Sequence, residues 1–571
     1  MNASRMMKWT AVMGMLLIAA LLAAACTTAP IAAPVEPAAQ ATEPAAEAAA
    51  AQVASTTHPV GPTTQEPTEE ATTYQAAAGG PLSNHVVALE EAKCTAAEVN
   101  PPWYSTLLSG EAHDSARSKM YPCAQFTGSF TDTNTVYAYK SPDNYYAPSM
   151  MVTRGVNEMY LYGGSIGNAN PLPSGPYVAR VEPGSLKERW RTNLLNTHIT
   201  GQWFGVGSIE SINGDIFVID GTYLYKLDGT SGAVTGVLSL PTVRSAPEDS
   251  YFNGMSGWSD GTVIMKNLIR VPGCKEQGFL ALVKCPHLDQ TPPSTIVVVD
   301  SKKFEVLDFT PAEQMIGGRI TAAEYNGKKY AYVVGHTLLY RYVWDGKNLA
   351  LDTSWGPISY LQPGETPGSA ASIMGDWVIV MTNGGAPATT PLSVVAISQA
   401  DPTKITRIQP MPLQPGQVSY IPSAVAVDLP NNRIYAMDPG PGKVVGIDLD
   451  AETGKMSLAW SADQSTSSWM ILIGPADQRV LVGTNIKTDG PNPNPLYWDS
   501  GPVGAKYTEQ VQWRDAATGK LLASSDYYSP MVAGFYVWPG YGGIIYDGLT
   551  DGGLVALQPL PSPARRVNAG R

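Results

Sequence analysis

The fold is indicated most clearly by the stretch Val511-Gln512-Trp513-Arg514-Asp515-Ala516-Ala517-Thr518-Gly519-Lys520. It has the pattern of a strand, then an Asp, a short turn that contains Gly, and the start of a second strand. Asp515 can accept backbone hydrogen bonds, and Gly519 can take the positive φ angle that closes such a turn. The stretch therefore predicts two outer strands of a sheet joined by a hairpin.

The same pattern recurs along the chain. Clear copies cover 224–232 and 445–455, and weaker ones fall near 177–190, 296–307, 339–351 and 394–408. The predicted turns lie near residues 184, 232, 302, 346, 402, 454 and 519, roughly 44 to 70 residues apart, which is the spacing of propeller blades. The two longest intervals contain the segment Cys274 to Cys285 and the Pro/Asn-rich stretch 489–495, so we expect both to be loops inserted in blades.

The composition of the chain indicates an all-β protein. Short runs rich in Val, Ile, Tyr and Trp, such as 216–219, 295–299 and 377–381, alternate with turn residues in a chain that contains 55 Gly and 47 Pro. No long stretch has the helical period of apolar residues. Each sheet of such an array can bury its faces only against its neighbours, so the array must close into a ring. We therefore predict a single β-propeller.

The turns at 450–455 and 515–520, Asp-Ala-Glu-Thr-Gly-Lys and Asp-Ala-Ala-Thr-Gly-Lys, resemble the repeats of the pyrroloquinoline quinone (PQQ)-like, or quinoprotein, β-propeller superfamily. The resemblance covers residues 125–563. Seven turns and a last segment, 534–560, predict eight blades, with seven as the alternative. The strand-like residues 135–140 are expected to complete the final blade, which leaves no exposed strand edge.

The N-terminus has the three regions of a secretory signal peptide, residues 1–25. Arg5 and Lys8 precede an apolar run, 11–22, that is too short to span a membrane, and small residues follow it. Residues 22–26, Leu-Ala-Ala-Ala-Cys, resemble the bacterial lipobox, which implies that Cys26 is lipidated; the lipobox usually has Leu where this chain has Ala23. Secretion without an anchor is the alternative.

Residues 26–80 read as the lipidated Cys26 and a disordered linker, because Ala, Pro, Thr and Glu dominate and Lys and Arg are absent after Cys26. An N-terminal extension, 81–124, precedes the propeller, and a short tail, 564–571, follows it. The formal net charge of the chain is -12. No basic stripe that could neutralise nucleic-acid phosphates is present. We expect an extracytoplasmic protein, at the cell surface or in the periplasm, with no nucleic-acid partner.

Cysteine usage agrees with an oxidising compartment. Besides Cys26 the chain has Cys94, Cys123, Cys274 and Cys285. Their spacing favours local disulfides, Cys94 with Cys123 and Cys274 with Cys285, although four cysteines allow three connectivities. A metal site is the weaker reading, because no CxxC pair is present and His287 has no partner histidine at a ligand spacing.

Ligand-binding candidates are the residues just before each innermost strand, since loops there line the central funnel of a propeller. They are Trp203, Asn253, Arg319, Ser423 and Trp469. Packing between blades is the competing explanation for the two tryptophans. His113, in a polar segment outside the repeats, is a further but weaker candidate for a catalytic role.

Two functional classes remain open. The resemblance implies either a quinoprotein dehydrogenase, in which calcium holds PQQ, or a calcium-dependent lactonase-like hydrolase. The chain lacks the Cys-Cys pair of many such dehydrogenases, a CxxCH haem motif, a GxSxG elbow and a HExxH helix. Noncatalytic envelope lipoproteins belong to the same superfamily. We therefore favour a binding or scaffold module that holds a protein, a glycan or a small ligand, and we assign it no particular cofactor; a PQQ- or calcium-dependent propeller enzyme is the alternative.

Overall fold

The computed structural model describes residues 102–124, 130, 135–164, 174–195, 202–203, 207–276, 285, 291–420, 422–466, 469–488, 507–528, 537–549 and 552–560. All of them lie in one compact unit, Pro62–Arg571. Cys26, Cys94, the signal peptide, the linker and the C-terminal tail lie outside the described residues, so the sequence-based expectations for them stay predictions. No helix in the described ranges is long and apolar enough to cross a membrane.

The fold is an eight-bladed β-propeller, as the sequence predicted. Two strands, Met120–Tyr121 (β1) and Thr135–Lys140 (β2), precede the blades. Blades 1 to 4 consist, from the innermost strand outward, of Pro148–Gly155, Glu158–Gly163, Tyr177–Val181 and Glu188–Asn193 (β3 to β6); Ser208–Ile212, Asp215–Asp220, Tyr223–Leu227 and Val234–Ser239 (β7 to β10); Ser250–Gly257, Thr262–Ile269, Thr295–Asp300 and Glu305–Pro311 (β11 to β14); and Thr321–Tyr325, Lys328–Val334, Leu339–Trp344 and Leu349–Leu351 (β15 to β18).

Blades 5 to 7 consist of Ala371–Met374, Trp377–Met381, Val394–Ser398 and Ile405–Ile408 (β19 to β22); Ala426–Asp428, Arg433–Asp438, Lys443–Leu449 and Met456–Asp463 (β23 to β26); and Ile471–Ile473, Val480–Thr488, Tyr507–Asp515 and Leu521–Ser524 (β27 to β30). Blade 8 contains Trp538–Pro539, Ile545–Gly548 and Leu554–Leu560 (β31 to β33). Four single-turn 3-10 helices are described, at Pro247–Asp249, Leu429–Asn431, Ala476–Gln478 and Tyr541–Gly543.

The two ends of the propeller meet in blade 8. Strand β2 pairs antiparallel with β33, with Thr135 opposite Leu560 and Lys140 opposite Val555. The outer strand of the last blade therefore comes from the start of the chain, which confirms the prediction for 135–140. This pairing closes the ring of blades and removes an exposed strand edge.

Burial explains why the sequence reads as short apolar runs. The second strand of blade 5, Trp377–Met381, is buried at every position, because both faces of a blade pack against neighbouring blades. The outer strand Met456–Asp463 instead alternates half-buried and exposed residues towards its end. Apolar runs thus mark the inner strands, and mixed sequences mark the rim.

All seven predicted turns lie between the third and fourth strands of a blade. In blade 7, Asp515 Oδ1 accepts hydrogen bonds from Thr518 N (2.8 Å) and Thr518 Oγ1 (2.7 Å), while Gly519 has a φ of 74°. This is the arrangement that the Asp-x-x-Thr-Gly pattern predicted.

Tryptophans of neighbouring blades cover three of these turns. Trp460 in blade 6 donates its indole N–H to Ala516 O in blade 7 (3.0 Å), and a Cβ added at Gly519 would lie 2.5 Å from the indole ring. The equivalent pairs are Trp190 with the turn at Gly232 and Trp377 with the turn at Gly454. The glycines are therefore required both by their φ angles and by the close approach of the tryptophan.

Residues 102–124, the described part of the predicted N-terminal extension, lie along the inner edges of the blades; we call them the axial segment. Their carbonyl groups accept hydrogen bonds from backbone N–H groups of innermost strands in six blades: Thr153 to Leu108 O (2.7 Å), Ser211 to Ser109 O (2.7 Å), Ala322 to Ser115 O (3.0 Å), Ile373 to Ala116 O (2.9 Å), Val427 to Ser118 O (3.0 Å) and Leu472 to Lys119 O (2.9 Å). Strand β1 also pairs parallel with β27.

The two other blades contact the axial segment through side chains. In blade 3, Gly257 N donates to Ser115 Oγ (3.2 Å), and in blade 8 the Tyr541 hydroxyl bonds to Thr106 Oγ1 (3.0 Å). The axial segment thus joins all eight blades.

The contacts fall close to the turns between first and second strands. We call that side of the propeller the turn face, and the opposite side, where the chain enters each innermost strand, the loop face.

We expect Gly519→Ala to destabilise the protein by roughly 2 to 4 kcal/mol, because it adds a clash with Trp460 to the cost of a positive φ angle. Gly327→Ala is the matched control: its φ is 72°, and nothing lies within 4 Å of an added Cβ. The control should lose only about 1 kcal/mol. The measurement is the shift of the urea unfolding midpoint, and equal shifts for the two variants would contradict the tryptophan contact.

Candidate functional site

The axial segment has an unusual backbone where it follows the inner edges of the blades. His113, Arg117 and Lys119 have φ angles of 75°, 58° and 58°, in the left-handed region that non-glycine residues seldom adopt. Each such residue costs about 1 to 2 kcal/mol. The hydrogen bonds to the innermost strands hold these conformations, and the side chains of Arg117 and Lys119 are buried as a result.

Glu111 is the centre of a buried ionic cluster. Its carboxylate accepts hydrogen bonds from Arg117 Nη2 (2.6 Å) and from Arg319 Nε, which enters from the start of blade 4 (2.8 and 3.1 Å to the two oxygens). Burial opposes ionisation of Glu111, but the charges of Arg319 and Arg117 and their hydrogen bonds outweigh it, so the pKa of Glu111 lies below its usual value. Glu111 is therefore a carboxylate shared by two guanidinium groups.

Glu210, on the innermost strand of blade 2, lies beside Glu111. Its Oε2 accepts a hydrogen bond from the backbone N–H of Glu111 (3.1 Å), and its Oε1 is buried without a partner. Burial and then the charge of Glu111 raise the pKa of Glu210 well above its ordinary value. Ionisation of Glu210 is therefore disfavoured, since a second carboxylate here would repel the first.

Two lysines add to the cluster. Lys119 Nζ donates to the carbonyl groups of Ala424 and Val425 and lies 4.4 Å from the ring centre of Trp469. Lys266, on the second strand of blade 3, donates to Ile316 O (3.0 Å). Burial, followed by the charge of a nearby arginine, lowers the pKa of each lysine well below its usual range.

The sequence-based candidates lie in different surroundings. Arg319 belongs to the ionic cluster, Trp469 covers Lys119, and the fully buried Asn253 lies next to Arg319 on the innermost strand of blade 3. Ser423 is half-buried, one residue before the carbonyl of Ala424 that Lys119 contacts. Trp203 packs in a separate apolar cluster with Tyr251 and Met315. The structure therefore brings three candidates to the axis, and a ligand-binding role for any of the five stays a prediction.

The sequence analysis missed Glu111, Arg117, Lys119, Glu210 and Lys266. Glu210 and Lys266 lie in strands whose sequence pattern does not set them apart from other strand residues. Glu111 and its partner Arg319 are 208 positions apart in the sequence. The one sequence feature that pointed to this cluster was the polar segment around His113. The His113 ring itself packs edge-on against Tyr121, with 5.0 Å between the ring centres.

The predicted disulfide Cys274–Cys285 is present, in the excursion between the second and third strands of blade 3. Cys123 is also disulfide-bonded; its predicted partner Cys94 is one of the residues that are not described. Among the described residues, no group of three or more His, Cys, Asp or Glu side chains is arranged to hold a metal ion.

An open groove of about 470 Å³ lies on the loop face, between the loops 382–393 and 409–425. Its lining combines apolar residues (Pro391, Leu413, Pro415, Val418) with polar ones (Thr389, Gln414, Gln417). Ala388 and Ser419 exchange backbone hydrogen bonds of 2.8 and 2.9 Å, which join the two loops.

Asp438, at the end of the second strand of blade 6, holds the loop 409–425 in place. Its Oδ1 accepts hydrogen bonds from Tyr420 N (3.0 Å) and Gly440 N (2.9 Å). Burial outweighs these bonds and raises the pKa of Asp438 to about 6. The carboxylate form is therefore disfavoured in the folded protein.

We expect Asp438→Asn to stabilise the protein at pH 7.5 by roughly 2 to 3 kcal/mol, because a folded pKa raised above the unfolded one makes ionisation a cost of folding. That cost develops as the pH rises from about 4 to about 6, so the two proteins should have equal stability below pH 4. The measurement is the unfolding midpoint of both proteins across this range. Parallel pH profiles would contradict the raised pKa.

Comparisons with known proteins support the fold and show no activity or ligand. No protein-family profile matches the chain, and no curated protein matches it in sequence. Among solved structures, the quinohemoprotein alcohol dehydrogenase from Comamonas testosteroni matches with a TM-score of 0.52 and 11% identity, over 85% of this chain and 84% of that chain. The quinohemoprotein alcohol dehydrogenase ADHIIG from Pseudomonas putida HK5 matches with a TM-score of 0.50 and 9% identity, over 81% and 82%.

BamB from Moraxella catarrhalis is a more distant match, with a TM-score of 0.34 and 11% identity over 71% of this chain and 80% of that chain. Identities this low show similarity of fold and leave activity open. The comparisons therefore agree with the eight-bladed β-propeller fold of the chain, and the two quinohemoprotein dehydrogenases share that fold with it.

Proposed function

We propose that the protein is a lipid-anchored β-propeller of the bacterial cell envelope that acts as a binding platform for a partner protein. Cys26 supplies the anchor, the acidic segment that follows it is the tether, and the propeller is the working part. Partner binding takes place on the loop face.

The axial segment is the observation that carries this proposal. Its carbonyl groups bond to the innermost strands of six blades on the turn face, side chains join it to the other two, and Arg117 and Arg319 bond to its Glu111. The chain's own residues thus fill the inner edges of the blades on this side, where a partner protein would otherwise find backbone groups to bind. The surfaces that remain for a partner protein are the loops and the rim.

The residues at the axis do not fit a calcium-held quinone, which the resemblance of the turns implied. Calcium takes six to eight oxygen ligands and depends on ionised carboxylates. Here Glu111 is bonded to two arginines, and burial and the charge of Glu111 raise the pKa of Glu210 and so disfavour its ionised form. A divalent cation would meet two guanidinium groups and a carboxylate that both of them already bind, so these residues do not form a calcium site.

The loop-face groove has the chemistry of a protein-binding surface. Proline, leucine and valine side chains offer apolar contact, and Gln414, which is exposed, offers hydrogen bonds beside them. A mixture of apolar contact area and polar rim is typical of interfaces between proteins. Because Asp438 and the pairing of Ala388 with Ser419 fix both loops, partner binding requires little ordering of the chain.

The test uses the full-length chain in the cells that make it, with a photo-crosslinking amino acid at Gln414 or, as the control, at Lys347 in a hairpin on the turn face. The Gln414 protein should form one discrete, protease-sensitive adduct, and the Lys347 protein should form none. Metabolic labelling with an alkyne fatty acid should mark the wild-type chain but not the Cys26→Ala variant.

Equal adducts at both positions, or none, would contradict a loop-face partner. A wild-type chain that takes no lipid label would contradict the anchor. Stoichiometric, calcium-dependent uptake of PQQ by the purified protein, followed by its absorbance, would instead establish the enzymatic alternative.

A further inference from the structure

We call the ionic cluster around Glu111, together with the neighbouring Asn253, the axial cluster. Some of its side chains carry hydrogen-bonding atoms that nothing in the described structure satisfies. Asn253 is completely buried, and neither its Nδ2 nor its Oδ1 has a partner; Arg117 Nε is also buried and unbonded. The side chain of Arg319 bonds through Nε alone, to Glu111. A buried polar atom left without a partner costs about 1 to 3 kcal/mol, so a group of them needs an explanation.

The residues that carry these atoms are neighbours in the structure. Asn253 follows Phe252 and precedes Gly254, where an added Cβ would lie 2.3 Å from Arg319 Cδ. Arg319 and Arg117 both hold the carboxylate of Glu111. Asn253 also lies opposite Lys266 in the pairing of strands β11 and β12, so the two side chains share one face of blade 3, and the charges of Arg319, Glu111 and Arg117 act on Lys266.

The charge of the cluster points to the class of ligand. The guanidinium groups of Arg117 and Arg319 both bond to the carboxylate of Glu111, and the buried Glu210 bonds to neither of them. Two guanidinium groups therefore share one partner carboxylate. An uncompensated buried charge is costly, and a bound anion removes that cost.

Access to the cluster is from the loop face. Arg319 keeps 8% of its surface exposed, whereas Glu210 and Asn253 are fully buried. Gly317, two residues before Arg319, is exposed and has nothing within 4 Å of an added Cβ. Of the charged side chains in the cluster, that of Arg319 is therefore the most exposed to solvent.

We propose that the axial cluster binds a small oxyanion that also carries a hydroxyl group, such as hydrogen phosphate or a hydroxycarboxylate. Guanidinium groups match the oxygen spacing of both anions. Arg117, Arg319 and Asn253 Nδ2 donate to the anionic oxygens, and Asn253 Oδ1 accepts from the hydroxyl. The site goes beyond the proposed platform role, because it requires neither the lipid anchor nor a protein partner.

The test is a titration of the purified full-length protein, in detergent, with sodium phosphate, glycolate or acetate, against sodium chloride at equal ionic strength. Phosphate or glycolate should raise the unfolding temperature in a saturable way, beyond the effect of chloride, and acetate should bind at least threefold more weakly than glycolate. A phosphate-only response identifies the ligand as phosphate, and a glycolate-only response identifies a hydroxycarboxylate.

Asn253→Asp places a carboxylate where the anion would bind, so it should weaken binding at least tenfold. Asn326→Asp, the same change in an exposed turn on the turn face, should leave binding unchanged. If Asn253→Asp does not fold, Asn253→Leu, which removes both hydrogen-bonding groups without adding a charge, replaces it and should weaken binding at least threefold. The proposal is overturned if no anion acts beyond chloride, in which case water fills the site, or if the cluster variants bind as well as the wild type.

Discussion

The hydrogen bonds between the axial segment and the innermost strands are the constraint on which the rest of the structure depends. Eight blades arranged in a ring turn the edges of their first strands towards the axis, and the N–H groups along those edges require acceptors. Residues 108–119 supply backbone carbonyl groups to six of the blades in turn. To follow this circular path the chain adopts left-handed conformations at His113, Arg117 and Lys119, which the surrounding hydrogen bonds maintain.

The charged cluster is a consequence of this path. The same backbone that satisfies the strand edges also brings Glu111 and Arg117 to the axis, where Arg319 and Glu210 meet them from two different blades. Polar groups in this position require hydrogen-bond partners, and Asn253 and Arg117 Nε lack them. The structure therefore separates two regions: an axis where two guanidinium groups share one carboxylate, and a loop face whose loops are fixed by hydrogen bonds.

The sequence predicted those parts of the fold that depend on local chemistry. The Asp515 to Gly519 turn and its copies placed the hairpins of seven blades, and the strand-like residues 135–140 predicted ring closure, because such signals lie within a few residues of one another. The axial segment could not be predicted, since Gly110 to Tyr121 has no periodic pattern and its partners come from strands up to several hundred residues away. Arg319 and Trp469 were found from their position before an innermost strand, whereas Glu111 and Lys266 had no such signal.

Residue-resolved hydrogen exchange of the innermost strands would show whether the axial segment closes the propeller. The amides of Thr153, Ser211, Ala322, Ile373, Val427 and Leu472 donate to the axial segment and should exchange as slowly as amides inside the blades. Fast exchange at these six amides, with the paired amides of the second strands still protected, would show that the axial segment does not close the propeller.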